Sequence, residues 1–356
     1  MKVVRAILLV INVLAALALL LTTLGGVVAP SSNIWPSLLA FGYLPALALN
    51  VLFVIVWLLM KRWQFLVSAV AIAVRWSFVG LVLQVGGTSR VPDRAEHPQM
   101  VTLMTYNVHL FNGRDDDRGR SDTNALRFLD LVRSERPDIL CMQEYAAPRR
   151  VGITDSLELL GYNHYYGSHT AKNGVPYGTV VFSQLPITYV KRIDGEKLMV
   201  ELHRDGQRLR VVCLHMDSYR FDNADHEEIA RMRRGEVNDS TSLRTIGKVK
   251  ETILSHEREW TTTISPVVND CKIPLVVAGD MNDVPTSWLH ARLRERLTDT
   301  YCDCGSGLSI TYDASYPAVR IDNVFRSEGL RTLSYRRIRT DISDHYPVMV
   351  ALEFEQ

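Results

Sequence analysis

Cysteine is scarce in this chain of 356 residues, and its few cysteines do not suit a metal-binding framework. There are five, and Cys141 and Cys213 lie in strand-like apolar runs. Cys302 and Cys304 are too close in sequence for an easy mutual disulfide. A structural zinc would also need a second pair of ligands beside Cys302-x-Cys304. The sequence therefore predicts no zinc site.

An excess of positive charge is also missing from most of the chain. After residue 96 there are 33 Lys and Arg against 37 Asp and Glu, which gives this part a net charge of about −4. Proteins that contact duplex DNA over many phosphates are usually clearly basic. The charge balance argues against that class. Residues 219–262 are locally rich in charge, which is typical of a solvated face, with a role in gripping substrate as the alternative.

Charge is almost absent from the 55 residues that follow Arg5. Three apolar stretches, 6–29, 34–60 and 65–86, are each long enough to cross a bilayer core of about 30 Å, which takes about 20 helical residues. The sequence thus predicts a transmembrane region of about three helices over residues 1–95, and a second domain over 96–356. A cleaved signal peptide and a buried helical bundle of a soluble protein are the alternatives.

The basic residues around these stretches predict which side the second domain occupies. Lys2 and Arg5 precede the first stretch, and Lys61 and Arg62 follow the second, which places all four on the cytoplasmic side. A third crossing then puts the second domain outside, in the periplasm of a bacterium with this protein in its inner membrane. Arg75 lies inside the third stretch, where a charge is costly. If that stretch lies in the interface instead, the domain stays in the cytoplasm.

The second domain alternates strand-like and helix-like segments. Asp205-Gly206 between two apolar runs predicts a hairpin, and Pro137 stops a helix predicted over 123–135. Many strands with two groups of helices predict an α+β fold, in which a two-sheet core is covered by helices on both outer faces. The predicted strands are 101–107, 139–143, 178–183, 197–203, 208–215, 275–279, 320–326 and 347–354, and further helices are predicted at 242–263 and 286–296.

Residues that bind metals or phosphates occur at the ends of these strands, one after another. A single polar strand end is ordinary turn chemistry, but a whole series predicts one site at a sheet edge. The series consists of Asn107, Glu144, His215, Asp280, Asn282, Asp322, Asp344 and His345.

Each residue type suits a step of phosphoester chemistry. Glu144 is a hard oxygen ligand for Mg²⁺, and Asp344 is a second candidate facing the metal. Asp280 is suited to orient or deprotonate an attacking water, with Asn282 donating to the negative oxygens. His345 titrates near neutrality, and a carboxylate behind it would fix its tautomer. Asp322 is the predicted carboxylate.

Taken singly, four of these residues also have ordinary structural interpretations. These are a satisfied core histidine for His215, a turn former for Asp322, a helix cap for Asn107, and an ion pair with Arg149 or Arg150 for Glu144.

Several short segments together resemble the endonuclease/exonuclease/phosphatase superfamily, whose fold is DNase I-like. They span about residues 101–354 in the superfamily's order. The segments are Thr105-Tyr-Asn-Val-His109, Pro137-Asp-Ile-Leu-Cys-Met-Gln-Glu144, Gly178-Thr-Val-Val-Phe-Ser183, Cys213-Leu-His215, Gly279-Asp-Met-Asn-Asp283, Arg320-Ile-Asp322 and Ser343-Asp-His-Tyr-Pro-Val348.

The resemblance implies a four-layer αββα sandwich and metal-dependent cleavage of phosphoesters by an in-line water. It implies Mg²⁺ as the cofactor, with Mn²⁺ as the alternative. The implied metal residues are Asn107, Glu144 and Asp344, and the implied catalytic residues are His215, Asp280, Asn282, Asp322 and His345.

The resemblance leaves the substrate open among nucleic acid, phospholipid head groups and inositol phosphates. His109 stands where the apurinic endonucleases carry an acidic residue, which weakens the case for a second metal ligand at this position. Residues 219–262 match no DNA-gripping insertion. The predicted partners are the phosphate-ester substrate and the lipid bilayer, without a protein partner. A membrane-anchored binding module without activity is the hypothesis from another class.

Overall fold

The structure is a computed structural model that describes residues 2–114, 116–148, 150–166, 177–194, 196–221, 225, 228, 231, 239–308, 310–313 and 319–355. Arg149 and, from the charged run, Glu227, Arg233 and Arg234 lie outside these residues.

The N-terminal region is helical. The first helix continues into a 3-10 turn at Thr23–Gly26, and the helices Phe65–Val74 and Trp76–Val82 meet at a bend of 75°. By length and composition, among the described residues, Lys2–Gly26 is long and apolar enough to cross a membrane, and the bent pair passes the same test only if it counts as one span. The helices are α1 (Lys2–Thr22), α2 (Trp35–Ala40), α3 (Tyr43–Leu59), α4 (Phe65–Val74) and α5 (Trp76–Val82).

These helices differ from the three continuous stretches that the sequence predicts. The second stretch is divided at Phe41 and Gly42, and the third is divided at Arg75, whose φ of −116° and ψ of 30° are not helical. The first helix of the second stretch has only six residues, and the third stretch is interrupted at its one charged residue. Three crossings stay a prediction.

A polar cluster joins α1, α3 and α4. The hydroxyl of Ser68 lies 2.5 Å from the amide oxygen of Asn12 and 2.7 Å from that of Asn50, and all three residues are fully buried. The amide nitrogen of Asn50 also donates to the carbonyl of Ala15 (2.9 Å). Such bonds hold apolar helices together where hydrophobic burial gives little preference for one partner.

The rest of the chain forms two mixed six-stranded sheets, in the orders β11-β12-β1-β2-β4-β3 and β5-β6-β7-β8-β10-β9. Within each sheet one neighbouring pair is parallel, β1 with β2 and β7 with β8. The strands are β1 (Met100–Asn107), β2 (Ile139–Tyr145), β3 (Asn163–Tyr166), β4 (Gly178–Ser183), β5 (Ile187–Asp194), β6 (Lys197–Arg204), β7 (Gln207–His215), β8 (Leu275–Asp280), β9 (Thr298–Asp299), β10 (Asp322–Arg326), β11 (Leu330–Arg337) and β12 (Val348–Phe354).

Helices cover the outer faces of both sheets. One core lies between the sheets and includes Leu103, Val200 and Val324, while separate cores lie under α6 and α7 and under α9 and α10. The α+β fold predicted from the sequence is therefore present, with helices on both sides of a two-sheet centre. These helices are α6 (Ser121–Glu135), α7 (Ile153–Leu159), α8 (Asp239–Glu259), α9 (Ser265–Asn269), α10 (Trp288–Arg294) and α11 (Thr300–Cys304), and a π-helical turn, Trp260–Ile264, joins α8 to α9.

Most predicted elements are present within two or three residues of their predicted bounds. The helix predicted over 286–296 is shorter, because the Ser287 side chain caps it by accepting a bond from the backbone N–H of His290. Strands β3, β5, β9 and β11 and helices α7, α9 and α11 were not predicted. The strand predicted over 139–143 continues to Tyr145 through an irregularity in its pairing with β4.

Candidate functional site

The two parallel strand pairs bring the predicted residues to one end of the sheets. Asn107 is paired with Gln143, directly before Glu144, at the end of β1 and β2. In the other sheet His215 is paired with Asp280, and Asp322 lies opposite Asp280 on the next strand. Parallel strands end at the same sheet edge, so residues far apart in sequence meet there.

The side chain of Asn107 connects the two sheets. Its amide nitrogen donates to Glu144 Oε1 (3.0 Å) and to Asp280 Oδ2 (3.0 Å), and its amide oxygen accepts the backbone N–H of His109 (3.0 Å). Asn107 is 1% exposed, so these bonds form away from water. They fix the separation of the two carboxylates, and the bond from His109 uses one of the two lone pairs of the amide oxygen.

Local backbone geometry explains how Glu144 reaches this position. It has a φ of +49° inside the irregular part of β2, in the left-handed region that residues with a side chain rarely adopt. A bulge of this kind redirects a side chain out of the strand's alternation. The second carboxylate oxygen of Glu144 has no bond from any described residue.

Gly279 is required where β8 approaches β7. A Cβ atom at this position would lie 1.9 Å from the backbone oxygen of Leu214, and its φ is +144°. The glycine therefore lets β8 approach His215 closely enough for Asp280 to lie beside it. Beyond it, Asp280 Oδ1 accepts the backbone N–H of Asn282 (2.8 Å), and the Asn282 amide donates to the carbonyl of Met216 (2.9 Å).

His345 and Asp322 form a buried pair beside Asp280. His345 Nδ1 lies 2.9 Å from Asp322 Oδ2, and its Nε2 lies 3.7 Å from Asp280 Oδ2. Burial alone would lower the pKa of His345, but the carboxylates of Asp322 and Asp280 raise it well above its usual value. Burial raises the pKa of Asp322 to about 6, against the opposing charge of His345. The pair thus holds a proton on His345 at neutral pH.

His215 has a carboxylate partner that the sequence did not indicate. Its Nδ1 donates to Glu196, and its Nε2 lies 3.6 Å from Glu144 Oε1. Burial alone would lower the pKa of His215, but the bond to Glu196 and the charges of Asp280 and Glu144 raise it to about 9. Glu196 lies in the turn between β5 and β6, and a carboxylate in a turn carries no sequence signal of its own.

A second missed residue, His256 on α8, connects the two loops that follow His215 and Asp280. Its Nε2 donates to the backbone oxygen of Asp217 (2.8 Å), and its Nδ1 lies 3.4 Å from Asp283 Oδ2. His256 is 1% exposed. Burial alone would lower its pKa, but the hydrogen bond and charge of Asp283 raise it above its usual value, so the two acceptors favour the protonated imidazole.

One compact group of metal-ligating atoms is present among the described residues. It consists of Asp280, Asp322 and His345, whose ligand atoms all lie within 4.8 Å of one another. His345 Nδ1 is already bonded to Asp322, which suits an acid–base pair better than a coordination site. Glu144, with an unengaged oxygen and a side chain 24% exposed, fits a hard divalent cation.

The predicted ligand Asp344 lies beside different partners. Its Oδ1 is 3.2 Å from the Ser343 hydroxyl and 3.3 Å from His109 Nδ1.

Neither Arg150 nor any other described arginine forms an ion pair with Glu144. The alternative interpretation of Glu144 as one half of a simple ion pair therefore finds no support in the described part of the chain.

A groove of about 610 Å³ opens from the His215 side of the site. Its lining includes the carboxylates of Glu144 and Glu196 together with Arg258 and Thr262. Lys197 lies in the groove, almost fully buried, with its ammonium 2.7 Å from Glu259. Glu144 and His215 are thus both part of the lining of this groove.

Two mixed sheets with paired acids and histidines at one end define a DNase I-like α+β protein. The model of the endonuclease/exonuclease/phosphatase family matches residues 104–345, and the chain belongs to that family. This family generally uses divalent metals, and its name describes cleavage of phosphoester bonds. A second model, for a domain of unknown function (DUF8431), matches residues 5–81.

Solved structures resemble the chain at low sequence identity. An endonuclease/exonuclease/phosphatase from Beutenbergia cavernae is 19% identical with a TM-score of 0.49, over 72% of each chain. A family protein from Leptotrichia buccalis is 17% identical with a TM-score of 0.47, over 71% of this chain and 100% of that one. The human Nocturnin catalytic domain with bound sulfate is 16% identical with a TM-score of 0.48, over 75% and 100%. A comparison with curated proteins found no match.

Proposed function

We propose that this protein is a membrane-anchored, divalent-metal-dependent phosphoesterase that hydrolyses phosphodiester or phosphomonoester bonds by in-line attack of water. The observation that supports it most strongly is the bridge from Asn107 to Glu144 and Asp280, with a carboxylate-paired histidine on each side. This arrangement provides a base, two cationic donors and a free carboxylate oxygen at one end of the two sheets.

The chain's own residues account for the proton transfers. Two hydrogen bonds, from Asn107 and the N–H of Asn282, orient the Asp280 carboxylate to accept the proton of the attacking water. His345 and His215 are both held protonated, so they stabilise negative phosphoryl oxygens and provide a proton for the leaving oxygen. Asn282 retains an amide hydrogen for the phosphate.

Glu144 would hold the metal, and we propose Mg²⁺, with Mn²⁺ as the alternative ion, because the donor is a hard oxygen. When bound, such an ion would supply charge neutralisation at the phosphoryl oxygens. Asp344 and Asn107 are the two further residues that we propose lie close to the metal.

The helical region supports the anchoring part of the proposal. Leu8 and Leu9 of α1 pack in one cluster with Trp57 and Phe65, so the loop with Lys61 and Arg62 lies towards the N-terminal, basic end of α1. The contacts of the second domain come from the opposite end, for example from Gly26. We therefore place the basic end in the cytoplasm and the second domain in the periplasm.

Turnover of bis(p-nitrophenyl) phosphate by the purified full-length protein with Mg²⁺ tests this function. Asp280→Asn and His345→Asn should each lower turnover at least about a hundredfold, the usual scale for losing an acid–base group. Asp130→Asn on the exposed face of α6 and His203→Asn on β6 are the matched controls. Unchanged turnover in both site variants would reject the assignment.

An anchored binding module without activity is the competing function. Calorimetry that detects no Mg²⁺ binding, together with no hydrolysis of nucleic acid, phospholipid or inositol phosphate, would favour that function.

A further inference from the structure

Two loops of the candidate site directly contact the N-terminal helical region. The hydroxyl of Thr286, four residues after Asn282, donates to the backbone oxygen of Ala40 (3.0 Å). The ring of Phe41 packs edge-on against Tyr219, with centroids 5.9 Å apart, and Tyr219 follows His215 by four residues. The site thus lies beside the turn between α2 and α3.

Helix α5 contacts the third site segment. Arg320, two residues before Asp322, donates to the backbone oxygen of Leu81 (2.9 Å) and to Asp299 (2.8 Å), and it is 5% exposed. Gln84 and Gly307 exchange backbone bonds of 3.3 and 2.7 Å. The bent pair α4–α5 therefore ends against the strand that carries the partner of His345.

An apolar crevice of about 60 Å³ lies between these two parts of the chain. Its walls are formed by Phe41, Leu44 and Val82 from the helical region and by Val284, Ile310 and Val319 from the second domain. Leu308 lies at its margin and is 43% exposed. The volume suits a short length of hydrocarbon and not a whole chain.

The wall of the crevice is also part of the site. The hydroxyl of Thr311 accepts the backbone N–H groups of Ile321 and Asp322, both at 3.0 Å. The ring of Tyr312 lies 4.9 Å from the ring of His345. Residues 310–312 therefore separate an apolar space from the buried histidine by one strand-like segment.

We infer that the substrate is a phosphoester lipid of the same bilayer, which enters the site from the side of the helical region with its first apolar groups in the crevice. The inference rests on the proposed function. The acyl chains stay in the membrane, so the crevice needs to hold only the part of the lipid next to the phosphate. The net charge of about −4 after residue 96 is unfavourable for a nucleic acid.

The proposed reaction is a hydrolysis, and water is its only co-reactant. The water oxygen forms a bond to phosphorus, one P–O ester bond breaks, and the water proton passes to Asp280. The leaving oxygen takes a proton from a protonated histidine, and the products are an alcohol and a phosphomonoester.

The test uses full-length protein in vesicles of phosphatidylethanolamine, phosphatidylglycerol and sphingomyelin with Mg²⁺. We expect lipid in the same vesicles to be hydrolysed at least tenfold faster than lipid in separate, protein-free vesicles, while soluble bis(p-nitrophenyl) phosphate is also cleaved. Two results would overturn the lipid inference and leave the proposed function standing. One is equal rates for the two lipid pools, and the other is cleavage of the soluble ester and of single-stranded DNA without any lipid cleavage. No cleavage of any phosphoester would reject the proposed function and this inference with it.

A variant tests the crevice. Leu308→Gln should lower the ratio of lipid hydrolysis to soluble-ester hydrolysis at least fivefold, since a polar amide disfavours hydrocarbon there. Leu159→Gln, on the exposed end of α7, is the matched control and should leave this ratio unchanged. An unchanged ratio in Leu308→Gln would contradict lateral entry through the crevice. The comparison of the two vesicle pools uses the unmodified protein, so it does not depend on how this variant folds.

Discussion

At the residue scale, the site is organised by carboxylates that bind the Nδ1 atoms of two histidines. Asp322 does this for His345 and Glu196 for His215. The Nε2 of His345 then lies 3.7 Å from Asp280, and the Nε2 of His215 lies 3.6 Å from Glu144. A fixed tautomer with a raised pKa gives a proton donor that is charged at neutral pH. Asp322 was predicted because it lies within a predicted strand, 320–326, and belongs to the segment Arg320-Ile-Asp322. Glu196 was missed because its contact depends on how β6 pairs with β7.

Glu196→Gln should lower the pKa of His215 below about 9, because it removes a carboxylate that stabilises the imidazolium. His215 would then lose its proton at a lower pH, and turnover at pH 8 should fall about tenfold or more. Histidine titration by NMR measures the shift. A His215 pKa that does not move in Glu196→Gln would contradict this pairing.

His256→Asn should destabilise the protein by about 1–3 kcal/mol, the cost of leaving buried partners unsatisfied. The folded-state pKa of His256 is raised, so its protonation stabilises the fold fully below the unfolded value of about 6.5, and this contribution is lost as the pH rises through the folded pKa. The difference in melting temperature from the unmodified protein should therefore shrink at high pH. His203→Asn is the control, and a difference independent of pH would contradict a charged His256.

At the scale of elements, the two parallel strand pairs explain why the site could be predicted. Strand ends are visible in sequence as apolar runs followed by Asn107, Glu144, His215 or Asp280, and parallel pairing brings them together. Contacts made by connecting segments leave no comparable pattern in the sequence. His256 lies on a helix whose pattern indicates only a solvated face, and its partners come from two distant loops.

The break at Arg75 makes the third apolar stretch the element that decides topology. We expect the chain to cross the membrane at this bent pair, which would place Gly87 outside the cytoplasm. Alkaline phosphatase fused after Gly86 should therefore be active, and a cytoplasmic β-galactosidase fusion at the same point should be inactive. The opposite pair of results would place the second domain in the cytoplasm. A fusion after Lys61 is the control for the basic, cytoplasmic end.

At the scale of the whole molecule, the helical region and the two-sheet domain contact each other next to the site. Sequence patterns predicted both parts and the two-sheet α+β architecture, because apolar runs and strand periodicity are local properties. They did not predict the contact of Ala40 with Thr286 or of Leu81 with Arg320, because these bonds join backbone oxygens to side chains far along the chain. Such contacts arise only from the assembled fold.

If Glu144 holds the metal that supports phosphoester hydrolysis, turnover of bis(p-nitrophenyl) phosphate by the full-length protein should depend on both Mg²⁺ and Glu144. The unmodified protein should lose activity in EDTA and regain it with Mg²⁺, and Glu144→Gln should be at least about a hundredfold slower at the same Mg²⁺ concentration. Glu158→Gln on α7 is the matched control. Turnover that persists in EDTA, or an active Glu144→Gln with the same Mg²⁺ dependence, would contradict the account.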